Sequence, residues 1–345
     1  MHDAAWRRFV TLFVTTFLGG VVGLGAFVVL MDPYDVVPFS LPIERRLVSI
    51  SQRHMYPQVA RSGRFDSVIV GTSTSRLLDP EVFNAALGVR LANLAMDSAT
   101  AWEQLQILSV FGASVAKPKM VIVGLDRVWC EPGADRERIT FRGFPEWMYD
   151  ANRWNDLLYL FNLSTVEIAG RLLGYHLGLY PERVRYDGFE VFVPHEEQYD
   201  LERARHNIWQ GPSRSVSAQE PPVRLSEQEE RALRFPAVTW LQDAVSAMPD
   251  THWIFAWMPV HVAAQPQPGS HAAAVENACK ARVASIAERH SATLLDWRVP
   301  SSLTSEDANY WDPLHYRLPI AYRLADEIVA AARGRAERRA AGGSR

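Results

Sequence analysis

The chain has 345 residues, 48% of them apolar, and a formal net charge of −3. This composition supports a buried core and excludes general disorder, and the charge excludes a global field that attracts nucleic acid. The two cysteines, Cys130 and Cys279, provide neither a disulfide framework nor a zinc motif, and both are predicted to be ordinary packed residues. No metal or other cofactor is expected.

A membrane-spanning helix is predicted near the N-terminus. Residues 9–31 carry no charge, and a helix of that length spans about 35 Å, enough for a hydrocarbon core of about 30 Å. Arg7 and Arg8 precede it, so the positive-inside rule places residues 1–8 in the cytoplasm and the main domain outside the plasma (inner) membrane. A cleaved signal peptide is the alternative, but its apolar region would be shorter, and residues 29–33 offer no small-x-small cleavage site.

The soluble part is predicted to be one α/β domain. Residues 32–58 form a connector, 59–333 the domain, and 334–345 a basic, disordered tail. Short apolar runs predict five strands, which are 67–70, 89–94, 120–123, 253–257 and 293–295. Helical patterns lie between several of them and after the last, at 102–111, 236–248, 272–289 and 321–332. Such alternation predicts a doubly wound, mainly parallel five-stranded sheet.

A long insertion, at about 130–230, separates the third and fourth predicted strands. It contains an amphipathic helical pattern at 152–177 and a polar, proline-bearing segment at 211–224. Insertions in such sheets often cover the carboxyl ends of the strands, where ligands bind. A structural cap without a ligand role is the alternative.

The first predicted strand leads directly into a serine-rich turn, which reads Gly71-Thr72-Ser73-Thr74-Ser75-Arg76. A serine between a strand and a helix N-terminus has free N–H groups nearby that can hold an oxyanion. The alternative is that Ser73 or Ser75 merely caps the following helix. The residues do not by themselves decide which serine would be the nucleophile.

Near the C-terminus the sequence reads Tyr310-Trp311-Asp312-Pro313-Leu314-His315. A carboxylate three residues before a histidine can hold one imidazole nitrogen, which leaves the other free to take a proton from serine. A turn with a surface histidine is the alternative. An α/β-hydrolase is excluded because its G-x-S-x-G motif needs glycine at position 75.

Together the two motifs resemble the SGNH (GDSL-like) hydrolase superfamily, which implies a flavodoxin-like fold with Ser73, Asp312 and His315 as catalytic residues. In this resemblance the Ser73 and Ser98 backbone N–H groups form the oxyanion hole. The family's oxyanion-binding asparagine is here Asp126, and an ionised carboxylate cannot donate a hydrogen bond. Candidate substrate contacts are Arg76, Arg127 and His261.

The N-terminal anchor and the two motifs resemble the membrane-anchored branch of that superfamily, which includes DltD-like and alginate-acetylation-like proteins. The resemblance implies a serine esterase or O-acyltransferase for acyl groups of envelope or exported polysaccharide, working with a multi-pass membrane acyltransferase. A degenerate domain that binds a glycan or scaffolds such a partner is the second hypothesis. A plain α/β anchor domain, with the motifs as caps and turns, is the third.

Overall fold

The computed structural model describes the backbone of residues 2–342 and the side chains of residues 3–335. Five short apolar segments form one sheet, in which the first four are buried almost throughout and the last is half-buried. The strands are β1 (Ser67–Val70), β2 (Leu91–Asn93), β3 (Met120–Leu125), β4 (His252–Trp257) and β5 (Thr293–Asp296). All five predicted strands are therefore present, although β2 is shorter and β3 longer than the apolar runs indicate.

The sheet is parallel throughout, with strand order β2-β1-β3-β4-β5. In the register Ser67 of β1 pairs with Leu91 of β2 and with Met120 of β3. The chain therefore leaves β1 on one side to form β2 and returns past it to form β3. The carboxyl ends of β1 and β3 lie at this reversal, which is where open α/β sheets place their ligands.

Helices cover both faces of the sheet, as the sequence predicts. One face packs against α3 (Pro80–Leu87) and α12 (Leu318–Gly342), and the other against α4 (Ala101–Ser114), α9 (Pro236–Ala247) and α10 (His271–Arg289). The other α-helices of the described residues are α1 (His2–Met31), α2 (Gln52–Arg61), α5 (Arg153–Tyr159), α6 (Leu163–His176), α7 (Leu201–Trp209), α8 (Glu227–Ala232) and α11 (Ser302–Ser305).

The chain divides into two compact units, a different division from the one expected. Unit 1 comprises Met1–Gln58 and Pro145–Tyr186, and unit 2 comprises Val59–Phe144 and Asp187–Arg345. The connector and residues 145–186 of the insertion thus belong to the same unit as the N-terminal helix. The sheet and the rest of the insertion belong to unit 2.

The amphipathic pattern at 152–177 forms two helices rather than one. Helix α5 ends at Tyr159, and α6 begins at Leu163 because the Asn162 side chain caps it, accepting from the Thr165 N–H at 2.9 Å. The polar segment at 211–224 has no regular secondary structure, in keeping with its prolines.

Helix α1 is long and apolar enough to cross a membrane over Asp3–Met31, and almost none of its most apolar stretch is buried. A signal sequence shares these features. The span and the orientation predicted from Arg7 and Arg8 therefore belong to the proposal below.

Two expectations are corrected. Cys130 and Cys279, predicted to be unpaired, form a disulfide bond with a Cα–Cα distance of 5.7 Å. Helix α12 continues to Gly342, so residues 334–342 are helical rather than a disordered tail, and residues 343–345 lie outside the described part. The tail sequence is rich in alanine, arginine and glutamate, which are strong helix formers.

Candidate active site

The serine-rich turn follows β1 at the reversal of the strand order. Ser73–Ser75 form one turn of 3₁₀-helix, and Ser73 is the one partly exposed residue of the stretch 71–80, whose other members are buried. The fold therefore presents the Ser73 side chain at the surface and holds its neighbours in the interior.

Ser75 points inward, into a space that two glycines leave open. A β-carbon at Gly71 or at Gly124 would clash with the Ser75 hydroxyl, so both glycines are required for this packing. The two positions follow β1 and lie near the end of β3, respectively. Of the two serines left open by the sequence, the structure brings only Ser73 to His315.

The serine-rich turn is hydrogen-bonded to the side chain of Asn93, the last residue of β2. The fully buried Asn93 amide donates to the carbonyls of Ser75 and Leu78 at 2.9 Å and of Arg76 at 3.3 Å. Its Oδ1 accepts from the Ala95 N–H at 3.1 Å. The Asn93 amide thereby supports the Arg76 and Leu78 carbonyls, and it shares the Ser75 carbonyl with the Leu78 N–H, which donates to that carbonyl at 3.2 Å.

His315 and Asp312 lie beside Ser73. His315 Nε2 is 2.9 Å from Ser73 Oγ, and His315 Nδ1 is 2.8 Å from Asp312 Oδ2. Because an ionised carboxylate only accepts, Nδ1 carries the proton, and Nε2 is left to accept from the Ser73 hydroxyl. The three side chains thus form the hydrogen-bonded chain of a serine-histidine-aspartate triad.

Asp312 is fixed as an anion by its own turn. Its Oδ1 accepts from the backbone N–H groups of Leu314 at 2.8 Å and His315 at 2.9 Å. Burial raises the pKa of Asp312, but the hydrogen bond and charge of His315 and these two N–H groups outweigh burial, and the net pKa is lowered. The carboxylate therefore stays ionised and can stabilise an imidazolium.

The loop of residues 311–316, here called the histidine loop, is hydrogen-bonded to the serine-rich turn and to the segment after β4. The Tyr316 hydroxyl donates to the Thr74 carbonyl, and the His261 N–H donates to the Pro313 carbonyl at 2.9 Å. The Trp311 N–H closes the loop on the His315 carbonyl at 2.9 Å. The contact of Tyr316 with Thr74 joins segments 242 residues apart in the sequence, and it helps to bring His315 within reach of a proton transfer from Ser73.

Asp126 lies beside the turn, after β3. Its carboxylate accepts from the Thr72 hydroxyl and, at 3.1 Å, from the Val128 N–H. Burial raises the pKa of Asp126, against the opposing effects of the Thr72 hydrogen bond and the positive charge of Arg298. A raised pKa favours a carboxyl that keeps its proton, and a protonated carboxyl can donate where an ionised one cannot.

Ser98 has a left-handed backbone with φ of 52°, a conformation that favours glycine. The side chain is exposed and donates to Asp97 at 2.9 Å. The roles of the Ser73 and Ser98 N–H groups toward an oxyanion remain predictions.

The three candidate substrate contacts occupy different environments. Arg76 is buried, ion-paired with Glu190 and stacked over the Phe192 ring at 4.4 Å. Arg127 is largely exposed beside Glu131. His261 is fully buried with its Nε2 3.1 Å from Asp307, so its side chain supports the histidine loop rather than facing a substrate.

Phe192 is a site residue that the sequence did not single out. Its ring meets the His315 imidazole edge to face with centroids 5.4 Å apart, and the Arg76 guanidinium lies over the same ring. Phe192 and Glu190 come from the part of the insertion that belongs to unit 2. The one signal in the sequence for a residue of the insertion at the site is that the insertion is rich in Trp, Tyr and Arg.

The arrangement contains what acyl transfer through serine needs: a partly exposed hydroxyl, a base in contact with it, and an ionised carboxylate that orients the base. Within the described residues no group of three or more His, Cys, Asp or Glu side chains is placed to hold a metal ion. No family model matches the chain, and no curated protein matches its sequence.

Proposed function

We propose that the chain is a membrane-anchored serine esterase or O-acyltransferase of SGNH type that acts outside the cytoplasm. The observation that carries the proposal is the continuous hydrogen-bonded chain from Ser73 through His315 to Asp312. If the two motifs were only a helix cap and a surface turn, their serine, histidine and aspartate would have no reason to meet. Here they meet with His315 Nε2 directed at Ser73, the arrangement that a general base needs.

In the proposed reaction Ser73 Oγ attacks the carbonyl carbon of an ester while His315 Nε2 takes the hydroxyl proton. The tetrahedral intermediate collapses as His315 returns that proton to the leaving alcohol oxygen, which leaves an acyl-serine. His315 then takes the proton of a water or sugar hydroxyl, whose oxygen attacks the acyl carbon. As the bond from the acyl carbon to Ser73 Oγ breaks, His315 returns the proton to Oγ and Ser73 is restored. The backbone N–H groups of Ser73 and Ser98, with a protonated Asp126, would hold the oxyanion.

The proposed location is supported by α1 and by the disulfide. A helix of this length with Arg7 and Arg8 before it fits a single pass with the N-terminus in the cytoplasm. The bond between Cys130 and Cys279 is typical of an oxidising compartment and supports the same side for unit 2. An envelope or exported polysaccharide as substrate and a multi-pass acyltransferase as partner rest on the family resemblance.

A second candidate is a catalytically silent SGNH domain that binds a glycan or scaffolds a membrane partner. Asp126 favours it, because the resemblance puts an asparagine donor at that position and a carboxylate that ionises would repel an oxyanion.

A fluorophosphonate probe, which reacts with activated serines, distinguishes the two candidates. The full chain in detergent micelles is labelled and the adduct is mapped by mass spectrometry. We expect the adduct on Ser73, its loss in Ser73→Ala, and a labelling rate at least about 100-fold lower in His315→Ala, since the base is removed. Ser75→Ala is the matched serine control and should label normally.

If folded wild-type protein is labelled no faster than Ser73→Ala, Ser73 is not an activated nucleophile and the enzyme hypothesis is rejected. Circular dichroism of each variant ensures that a lost adduct reports chemistry rather than unfolding. Glycan binding and capture of a membrane partner would then be the experiments to pursue.

A further inference from the structure

Unit 1 carries large apolar side chains on its surface around the connection between α5 and α6. The members of this α5–α6 apolar patch, with their exposed fractions, are Trp154 (79%), Leu158 (75%), Tyr159 (52%), Phe161 (57%) and Leu163 (85%). A water-facing surface rarely concentrates so many large apolar side chains in ten residues of sequence. The charges of the same segment are paired within it, with Arg153 Nε 3.1 Å from Asp156.

The patch lies against α1, inside the same unit. The Phe161 ring faces Gly25, where a β-carbon would be 3.3 Å from Phe161 Cε1. Beyond this point α1 is packed into unit 1, with Val28 and Met31 buried, whereas residues 3–24 are exposed. Gly25 therefore marks the point at which α1 begins to pack against the rest of unit 1.

The length of α1 places this point at the depth of the bilayer. From Phe9, the first residue after the arginines, to Leu24 the helix rises about 24 Å, whereas a hydrocarbon core is about 30 Å thick. Roughly the last 6 Å of the core then falls at Gly25–Val28, beside Phe161, if α1 spans the membrane. An apolar surface at that depth is solvated by lipid rather than by water.

We propose that the α5–α6 apolar patch lies in the outer boundary of the bilayer and forms an in-plane membrane anchor beside α1. The inference rests on the proposed membrane span. Lipid is favoured over a protein partner because the patch adjoins α1 at Gly25, through Phe161, at the depth that the proposed span gives to the edge of the hydrocarbon core. Its composition also fits, since Trp154 and Tyr159 are the residue types that occupy membrane interfaces, and in-plane elements reach about 5–10 Å into that boundary.

Helix α6 supplies a matched control at its other end. Leu177 follows the last residue of α6 and is 64% exposed, comparable to the patch leucines. The neighbouring His176 contacts the Glu44 carbonyl at 2.9 Å, which is remote in sequence from the α1 residues that meet Phe161. α6 has 14 residues, so Leu163 and Leu177 are about 20 Å apart along it.

The test measures the depth of spin labels on the full chain in nanodiscs of phosphatidylcholine and phosphatidylglycerol. Single cysteines are introduced as Leu158→Cys, Leu163→Cys, Leu177→Cys and, within α1, Leu24→Cys. The native cysteines are paired with each other, so labels attach to the new thiols. Power saturation compares access of oxygen, which prefers lipid, with access of a water-soluble nickel complex.

We expect labels at 24, 158 and 163 to favour oxygen and the label at 177 to favour the nickel complex, with oxygen-to-nickel accessibility ratios at 158 and 163 at least about twofold above that at 177. A lipid-exposed label at 24 with water-exposed labels at 158 and 163 overturns the in-plane anchor and leaves the span intact. A water-exposed label at 24 overturns the span and the anchor with it. Neither result depends on the serine chemistry.

Discussion

Asp126 is the residue whose protonation decides how the proposed oxyanion hole works. Its carboxylate is buried between the Thr72 hydroxyl and the Val128 N–H, and burial raises its pKa from an ordinary value of 3.8. A neutral side chain of the same shape can make both contacts. An asparagine would accept from Val128 through Oδ1 and donate through Nδ2 to Thr72, whose hydroxyl can turn to Thr74 at 3.2 Å.

We therefore predict that Asp126→Asn stabilises the protein at neutral pH. Between pH 3.8 and the raised pKa the native state binds more protons than the unfolded state, so the free energy of unfolding of the wild type falls as pH rises through that window. The variant lacks this loss. Its melting temperature should match that of the wild type near about pH 3 and exceed it above the window.

Thermal unfolding of both proteins across a pH series measures this difference. Asp326→Asn, on the exposed face of α12, controls for the removal of one formal negative charge. A difference between Asp126→Asn and wild type that does not change with pH would show that Asp126 does not titrate as its burial implies.

At the scale of elements, the serine turn depends on a side chain from the neighbouring strand. We predict that Asn93→Ala lowers the free energy of unfolding by about 3 kcal/mol, because the Arg76 and Leu78 carbonyls lose this donor and the Ser75 carbonyl loses one of its two donors. It should also slow fluorophosphonate labelling of Ser73, since the turn that aims Ser73 at His315 loses its support. Urea unfolding and labelling kinetics measure the two effects.

Asn84→Ala provides the matched control for Asn93→Ala. Asn84 lies on α3, and its Oδ1 accepts a single hydrogen bond from the Leu91 N–H at 2.8 Å. We expect a smaller loss of stability and normal labelling of Ser73. Equal labelling rates in both variants would mean that Asn93 stabilises the domain without positioning the serine.

The elements differ in how far the sequence determines them. Strands β1 to β4 were predicted because burial on both faces makes each one a nearly continuous apolar run, and β1 was placed residue for residue. Strand β5 is only half-buried but carries a short apolar run as well. The break between α5 and α6 was missed, since the helical pattern of apolar residues runs on through Phe161 and only the N-cap at Asn162 marks the start of a second helix. The spacing of apolar residues thus predicts which segments are buried better than it predicts where a helix is interrupted.

The site divides in the same way. Ser73 and Ser75 both suit a helix N-terminus, so the residues alone left the choice open, and only the space between Gly71 and Gly124 separates them. The short-range Asp312–His315 pair follows from its spacing in the sequence. Phe192 could not be predicted, because its contact with His315 depends on how the insertion returns to the sheet.

Considered over the whole molecule, the disulfide is the longest-range covalent constraint in the described chain, joining residues 149 apart in unit 2. Cys130 ends the short 3₁₀-helix that begins directly after Asp126, and Cys279 lies on α10. Nothing in the local sequence marks two distant cysteines as partners, because pairing requires only that the fold bring them together. The bond therefore ties the segment after β3, and with it Asp126, to the helix layer of the sheet.

We predict that Cys130→Ser/Cys279→Ser lowers the free energy of unfolding by about 2–5 kcal/mol, because the open chain gains entropy on unfolding when so long a loop is no longer closed. Urea unfolding of the full chain in detergent micelles, followed by tryptophan fluorescence, measures the change with and without a phosphine reductant. Reductant should shift the wild-type midpoint to that of the variant and leave the variant unchanged. A wild-type midpoint that stays the same after both thiols have been reduced and alkylated would show that the bond adds no stability, and the constraint on Asp126 would then have to come from the packing of β3 and α10 alone.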